Sequence, residues 1–312
     1  MNRFYTTLAS LGFLIAVACT TQPAQTPEPV KLPPGAEAIS FSGKPLYPRK
    51  PDSAVVRRSD SLLTIVRSKP SLSEDDYVEI GRLLLTENRY RDAMANYTIG
   101  ISAYPESFKL YRNRGHRHIN LRELDAAMED LGMARDLMAG KPEAMEYGGD
   151  GKPTATIQHQ VWYHIGIYHY LKGDYSSCAE AFEKALAATR EPNNIAGASD
   201  WLYNAYQRSG DKEKAEKVLE PFTLDYPIED KNYPYFRRLL LFKKVITPEE
   251  LIDPAMEPST MSVQDMTKLY GLANFLAYNG EPEKANELYK KVLLTDQWLG
   301  FAYAGAELDV KP

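Results

Sequence analysis

All five histidines of the chain lie between His116 and His169, and three arginines crowd the start of that stretch, in Arg112-Asn113-Arg114-Gly115-His116-Arg117-His118. Arginine forks match carboxylates bidentately, so the chemistry on offer is contact with an anionic group. Metal binding is disfavoured by spacing. His116/His118 and His164/His169 are neither three nor four residues apart, so neither pair shares one helix face as a metal site would need. Catalytic signatures are missing as well: there is no G-x-S-x-G, H-E-x-x-H or C-x-x-C. The one glycine-rich run, Gly148-Gly149-Asp150-Gly151-Lys152-Pro153, follows no strand pattern and is expected to be flexible, not a phosphate cradle. We expect no catalytic residue, no cofactor and no metal.

The N-terminus bears on where such chemistry would operate. Met1-Asn2-Arg3 carries a positive charge, and an apolar stretch of about 11 residues, Leu8 to Ala18, follows it. That is the length of a secretory signal core and too short to span a bilayer. It ends Ala16-Val17-Ala18-Cys19, which resembles the lipobox of bacterial lipoproteins, although Ala16 stands where Leu is usual. The resemblance implies a signal peptide over 1–18 and lipidation of Cys19. Ordinary cleavage after Ala16-Val17-Ala18 is the other reading. Residues 19–52 then form a lipidated, disordered tether, rich in Pro, Thr and Gln up to Gly35. Thr20 is not the Asp that retains lipoproteins in the inner membrane, so the resemblance implies the outer membrane, facing the periplasm. With Cys19 acylated, Cys178 is left alone and the mature chain can form no internal disulfide. Net charge is −5 for the whole chain, with no long basic run, which argues against a nucleic-acid partner.

The rest of the chain repeats. Gly81 and Gly115 stand 34 residues apart, and neighbouring positions keep that register. Tyr77, Ile80, Gly81, Ala93 and Tyr97 in one copy answer to Tyr111, Gly115, Ala127, Leu131 and Ala134 in the next, and to Trp162, Ile165, Gly166, Cys178 and Phe182 in a third. Ala93/Tyr97, Cys178/Phe182 and Ala285/Tyr289 are small/large pairs four residues apart, so both members face one side of a helix. Lys172-Gly173-Asp174, Ser209-Gly210-Asp211 and Asn279-Gly280-Glu281 each end one helix and start the next. This pattern resembles the tetratricopeptide repeat (TPR). The resemblance implies an all-α fold, a right-handed solenoid of antiparallel helix pairs over 53–308. Clear copies fall at about 74–107, 108–139 and 159–192, and looser ones at 196–222 and 266–297. Ser53 to Val66 reads as an N-terminal half-repeat and Trp298 to Leu308 as a C-terminal capping helix. Two stretches break the pattern: a long loop, Gly140 to Ile157, and an irregular helical segment, 223–258, with helices expected at Tyr233 to Lys244 and from Pro248.

Family geometry places the fifth and ninth positions of each first helix on a concave groove. Here these are Val78 and Arg82, Arg112 and His116, Tyr163 and Ile167, Asp200 and Asn204, Tyr270 and Asn274. Arg82, Arg112, His116, Tyr163, Asp200 and Asn204 are accordingly the expected partner contacts. Arg114, His118 and His169 fall on core positions instead, where charge needs a partner; an internal network with Asp125 or Asp130 is expected. Asn113 matches one position of the carboxylate clamp of chaperone adaptors, but Val78, Arg82, Gln160 and His164 depart from it. The reading is a membrane-anchored adaptor in the bacterial envelope, not an enzyme, whose partner is a protein or peptide of acidic or carboxylate-bearing character. The alternative is a small-ligand-binding protein or enzyme using the Arg/His cluster under the loop at 140–157.

Overall fold

The computed structural model describes residues 32–148, 151–228 and 232–311. The expected signal peptide, 1–18, and Cys19 lie outside them. Helices come in pairs along the chain. A lone α1 (Ser53–Arg67) precedes α2 (Glu74–Thr86) and α3 (Tyr90–Ala103), then α4 (Phe108–Asn120) and α5 (Leu124–Met138). Next come α6 (Ile157–Lys172) and α7 (Tyr175–Ala187), then α8 (Pro192–Ser209) and α9 (Lys212–Leu219). The irregular segment holds α10 (Tyr233–Phe242) and the single turn α11 (Pro248–Leu251). The last pair is α12 (Val263–Tyr278) and α13 (Pro282–Val292), followed by α14 (Phe301–Asp309). The fold is the all-α repeat architecture.

Local chemistry sets the helix ends. Ser73 and Ser262 close capping boxes with Asp76 and Asp265, and Thr247 does the same with Glu250 for α11. Gly173 and Gly210 end α6 and α8 with φ of +74° and +85°, a backbone that only glycine adopts at little cost. At the corresponding turns of the first two repeats Asn88 and Arg122 take left-handed φ of +59° and +66°. Arg122 is held there by contacts described below.

The repeat signature works as steric matching. A Cβ placed on Gly81 would come within 2.2 Å of the Tyr97 ring, on Gly166 within 2.6 Å of Phe182, and on Gly115 within 2.9 Å of Leu131. The first helix must therefore present bare backbone where the second presents its large side chain, and Tyr97, Leu131 and Phe182 are buried as a result. A small core joins Leu63 of α1 to Ile80, Leu84 and Tyr97, and a larger one runs from the N-terminal hairpin through α14.

Three features depart from an open solenoid on a loose tether. The expected tether, 19–52, is ordered over its C-terminal part, because β1 (Ala38–Ile39) pairs antiparallel with β2 (Pro45–Leu46) and buries Ala38 and Leu46. The loop at 140–157 is likewise a hairpin, β3 (Met145–Tyr147) on β4 (Pro153–Thr156). The third feature is α14, which does more than cap α12 and α13. Its approach turns back to the first two repeats: Asn120 donates to the Leu299 carbonyl at 2.8 Å, and Tyr90 meets Trp298 edge to face at 5.5 Å. Arg122 forms a buried ion pair with Glu307 at 2.8 Å and donates to the Trp298 carbonyl at 2.8 Å. The first hairpin joins the same knot, with Phe41 N–H donating to Glu307 and Trp298 Nε1–H to the Tyr47 carbonyl. Glu307 is satisfied from several sides, as a buried charge must be.

Candidate functional site

The inner face, lined by the first helices of the pairs, is largely filled toward the C-terminus. Helix α10 packs against α8 and α12, and α14 packs so close to α12 that a Cβ on Gly305 would lie 2.5 Å from the Tyr270 hydroxyl. Asp200 and Asn204, expected in an open groove, are fully buried there. Asp200 lies 2.9 Å from the Nη2 of Arg238, itself fully buried among the rings of Trp201, Tyr235 and Tyr270 at 5.5–5.7 Å. Burial pushes the Asp200 carboxyl up to about 7, and the Arg238 guanidinium limits the rise. Asn204 accepts from Asn274 Nδ2 at 2.8 Å and from the Tyr278 hydroxyl at 2.9 Å. Arg208 extends this network to Asp309 of α14. These concave positions hold the molecule together; they do not face a partner. Asp200 is covered by Arg238 of α10, and Asn204 by Asn274 and Tyr278 of α12.

Toward the N-terminus, two cavities of the described chain share a wall made by Arg112 and Glu146. The first is a channel of about 420 Å³ between α2, α4 and β3. Val78, Leu85, Met145 and Tyr147 supply its apolar surface, and Tyr147 is well exposed. Arg82 lines it, with its fork engaged by Glu79 one turn earlier and Nε donating at 2.8 Å. Asp75, Glu79 and Glu146 stand opposite Arg82, Lys109 and Arg112, so formal charge balances among the described residues lining the channel.

The second cavity, about 330 Å³, lies between α4, α6, α8, the hairpin, the start of α10 and Phe301 of α14. Arg112 is 4% exposed and bonds Glu146 through Nη2, while its Nε is buried without a partner. Arg112, expected among the partner contacts, thus has part of its fork engaged within the chain, because β3 carries Glu146 onto the guanidinium. His116, on the same face one turn later, packs against His164 with centroids 4.0 Å apart and rings tilted by 33°, and Phe301 packs on both, 5.3 Å from His116 and 5.9 Å from His164. Tyr163 meets Phe182 edge-on at 5.3 Å. Arg117 donates to His116 Nδ1 and makes no ion pair with a carboxylate among the described residues. Burial lowers its pKa to about 10, which leaves it cationic at neutral pH. Burial, with Arg112 and Arg117 nearby, holds both His116 and His164 well below the ordinary imidazole range, so both are neutral. His164 donates through Nδ1 to the Gln160 carbonyl at 2.7 Å, and His159 likewise to the Ala185 carbonyl at 2.8 Å.

The expected polar network exists in part. Arg114 makes a bidentate pair with Asp130 at 2.7 and 2.8 Å, and His118 bonds Glu123 at 2.7 Å with Asp130 at 3.6 Å. Asp125 is not a member; it is exposed and faces Lys172. His169 takes another partner, Asp174 at 3.3 Å in the α6–α7 turn. Among the described residues no three His, Cys, Asp or Glu side chains are grouped to hold a metal ion. Sequence reasoning overlooked Arg117, Glu146 and Phe301 as site residues. Arg117 was visible only as part of a basic run, and the other two sit on a hairpin and a terminal helix whose docking no periodicity reports.

Comparison with known proteins agrees with the repeat. The tetratricopeptide repeat family model matches residues 159–192, the α6–α7 pair. No curated protein matches the sequence. Among solved structures, the chain is similar to a tetratricopeptide repeat protein from Parabacteroides merdae ATCC 43184, at 16% identity and a TM-score of 0.49, over 80% of this chain and 92% of that one. It is also similar to the APC/C hetero-tetramer Cut9-Hcn1, at 16% identity and a TM-score of 0.46, over 76% of this chain and 40% of that one.

Proposed function

We propose that this tetratricopeptide-repeat protein is a non-enzymatic adaptor, anchored through lipidated Cys19 to the outer membrane and facing the periplasm, that takes an extended segment of an envelope protein in the channel between α2, α4 and β3. The observation that carries the reading is selective occupancy. The chain's own helices cover the inner face toward the C-terminus, while Val78, Met145 and Tyr147 leave an apolar strip open beside Arg82 and Asn113. Apolar anchors of this kind dominate binding energy when a partner desolvates them, whereas rim charges contribute little. Because the channel's charges balance, the recognised segment is chiefly apolar, and the acidic or carboxylate preference belongs with the second cavity. The lipobox-like Ala16-Val17-Ala18-Cys19 supports the anchor.

The test combines fractionation with capture. Cys19→Ser should abolish palmitate labelling and release the chain from membranes, since stable anchoring needs two or more acyl chains. Val78→Glu with Tyr147→Ala should remove the captured envelope protein while leaving helicity intact. Membrane retention and no lipid label in wild type would overturn the anchor. Undiminished capture by the folded double variant would overturn the channel.

A further inference from the structure

We propose that the second cavity is a binding site for a small organic carboxylate with a flat apolar body, separate from the peptide channel. Charge is the first argument. Arg112 pairs with Glu146 there, Arg117 lines the same cavity and the histidines beside them are neutral, so among the described lining residues one positive charge is left without a counter-charge. An uncompensated charge in a partly dry site is costly, and a monoanion removes that cost.

Donor geometry is the second argument. Arg112 is more than nine-tenths buried, and its Nε has no partner although its Nη2 is engaged. A guanidinium reads a carboxylate through two parallel N–H groups, so the fork is only part used. Because His116 Nδ1 accepts from Arg117, a neutral His116 carries its proton on Nε2 and can donate as well. Shape is the third argument. Phe301 closes one side, with the tilted His116 and His164 rings against it and Tyr163 6.4 Å away, so the walls are aromatic while the head of the site is basic. The volume, about 330 Å³, lies at the small end of ligand pockets, which run from about 300 to 1,000 Å³. The site requires the returned C-terminal helix to complete it, since Phe301 comes from α14.

Titration of the full-length chain in detergent with benzoate, followed by calorimetry and by the histidine imidazole resonances, tests this directly. Benzoate should bind saturably, one per chain, and shift His116 and His164. Arg117→Gln should weaken it about tenfold or more, the effect of losing one charged hydrogen bond. Inorganic phosphate, which offers charge without an apolar body, should bind more weakly. If Arg117→Gln fails to fold, Phe301→Leu keeps both cations and should still weaken benzoate while sparing phosphate. Absence of saturation, unchanged benzoate affinity in either folded variant, or phosphate binding as tightly as benzoate would overturn the assignment. The channel variant Val78→Glu with Tyr147→Ala should bind benzoate as wild type does, which separates this site from the adaptor reading.

Discussion

At the scale of single residues, burial decides what each polar group does. Four of the five histidines, His116, His159, His164 and His169, have pKa values lowered first of all by burial. The folded chain thus keeps them neutral where the unfolded chain takes up protons, below about 6.5. The unfolded state binds more protons in that window, so stability is full above pH 6.5 and falls as acid carries the histidines toward their folded pKa values. Asp200 acts oppositely: its carboxyl, raised to about 7, binds a proton in the folded chain that the unfolded chain releases, and so favours folding as pH falls below 7. Melting temperature followed from pH 7 to pH 5 should drop, and His164→Gln should drop less steeply. Equal slopes would mean that His164 is not held neutral by the fold. The positions of Asp200 and Asn204 could not be read from sequence for a related reason. A polar side chain at a concave position looks solvent-facing until partners such as Arg238 and Asn274, tens of residues away, are brought onto it.

At the scale of elements, periodicity revealed most of the architecture. Small/large pairs and turn glycines located the helix pairs because each is a local requirement: Gly166 must be bare for Phe182 to pack, and Gly173 must turn left-handed. The hairpins escaped because two to four residues per strand carry no readable alternation, and Glu146 reaches Arg112 only through the β3–β4 register. Phe182→Ala removes a fully buried ring that touches both Gly166 and Tyr163. It should cost about 3–5 kcal/mol in urea unfolding, spread over neighbouring pairs because each pair is stabilised by the next. A loss below about 1 kcal/mol would mean that the α6–α7 interface does not depend on this packing.

For the whole molecule, the two ends of the described chain meet. Glu307 accepts from Phe41 N–H and pairs with Arg122, and Asp309 pairs with Arg208. Closure occupies the inner face toward the C-terminus, and the proposed function puts partner-segment recognition in the channel at α2, α4 and β3. The most direct test of that claim is site-specific photo-crosslinking in living cells, with a crosslinking residue at Tyr147 in the channel and, as comparison, at Met133, exposed on α5. Tyr147 should trap an envelope protein that Met133 does not. A partner trapped from Met133 and never from Tyr147 would contradict the channel as the site of recognition.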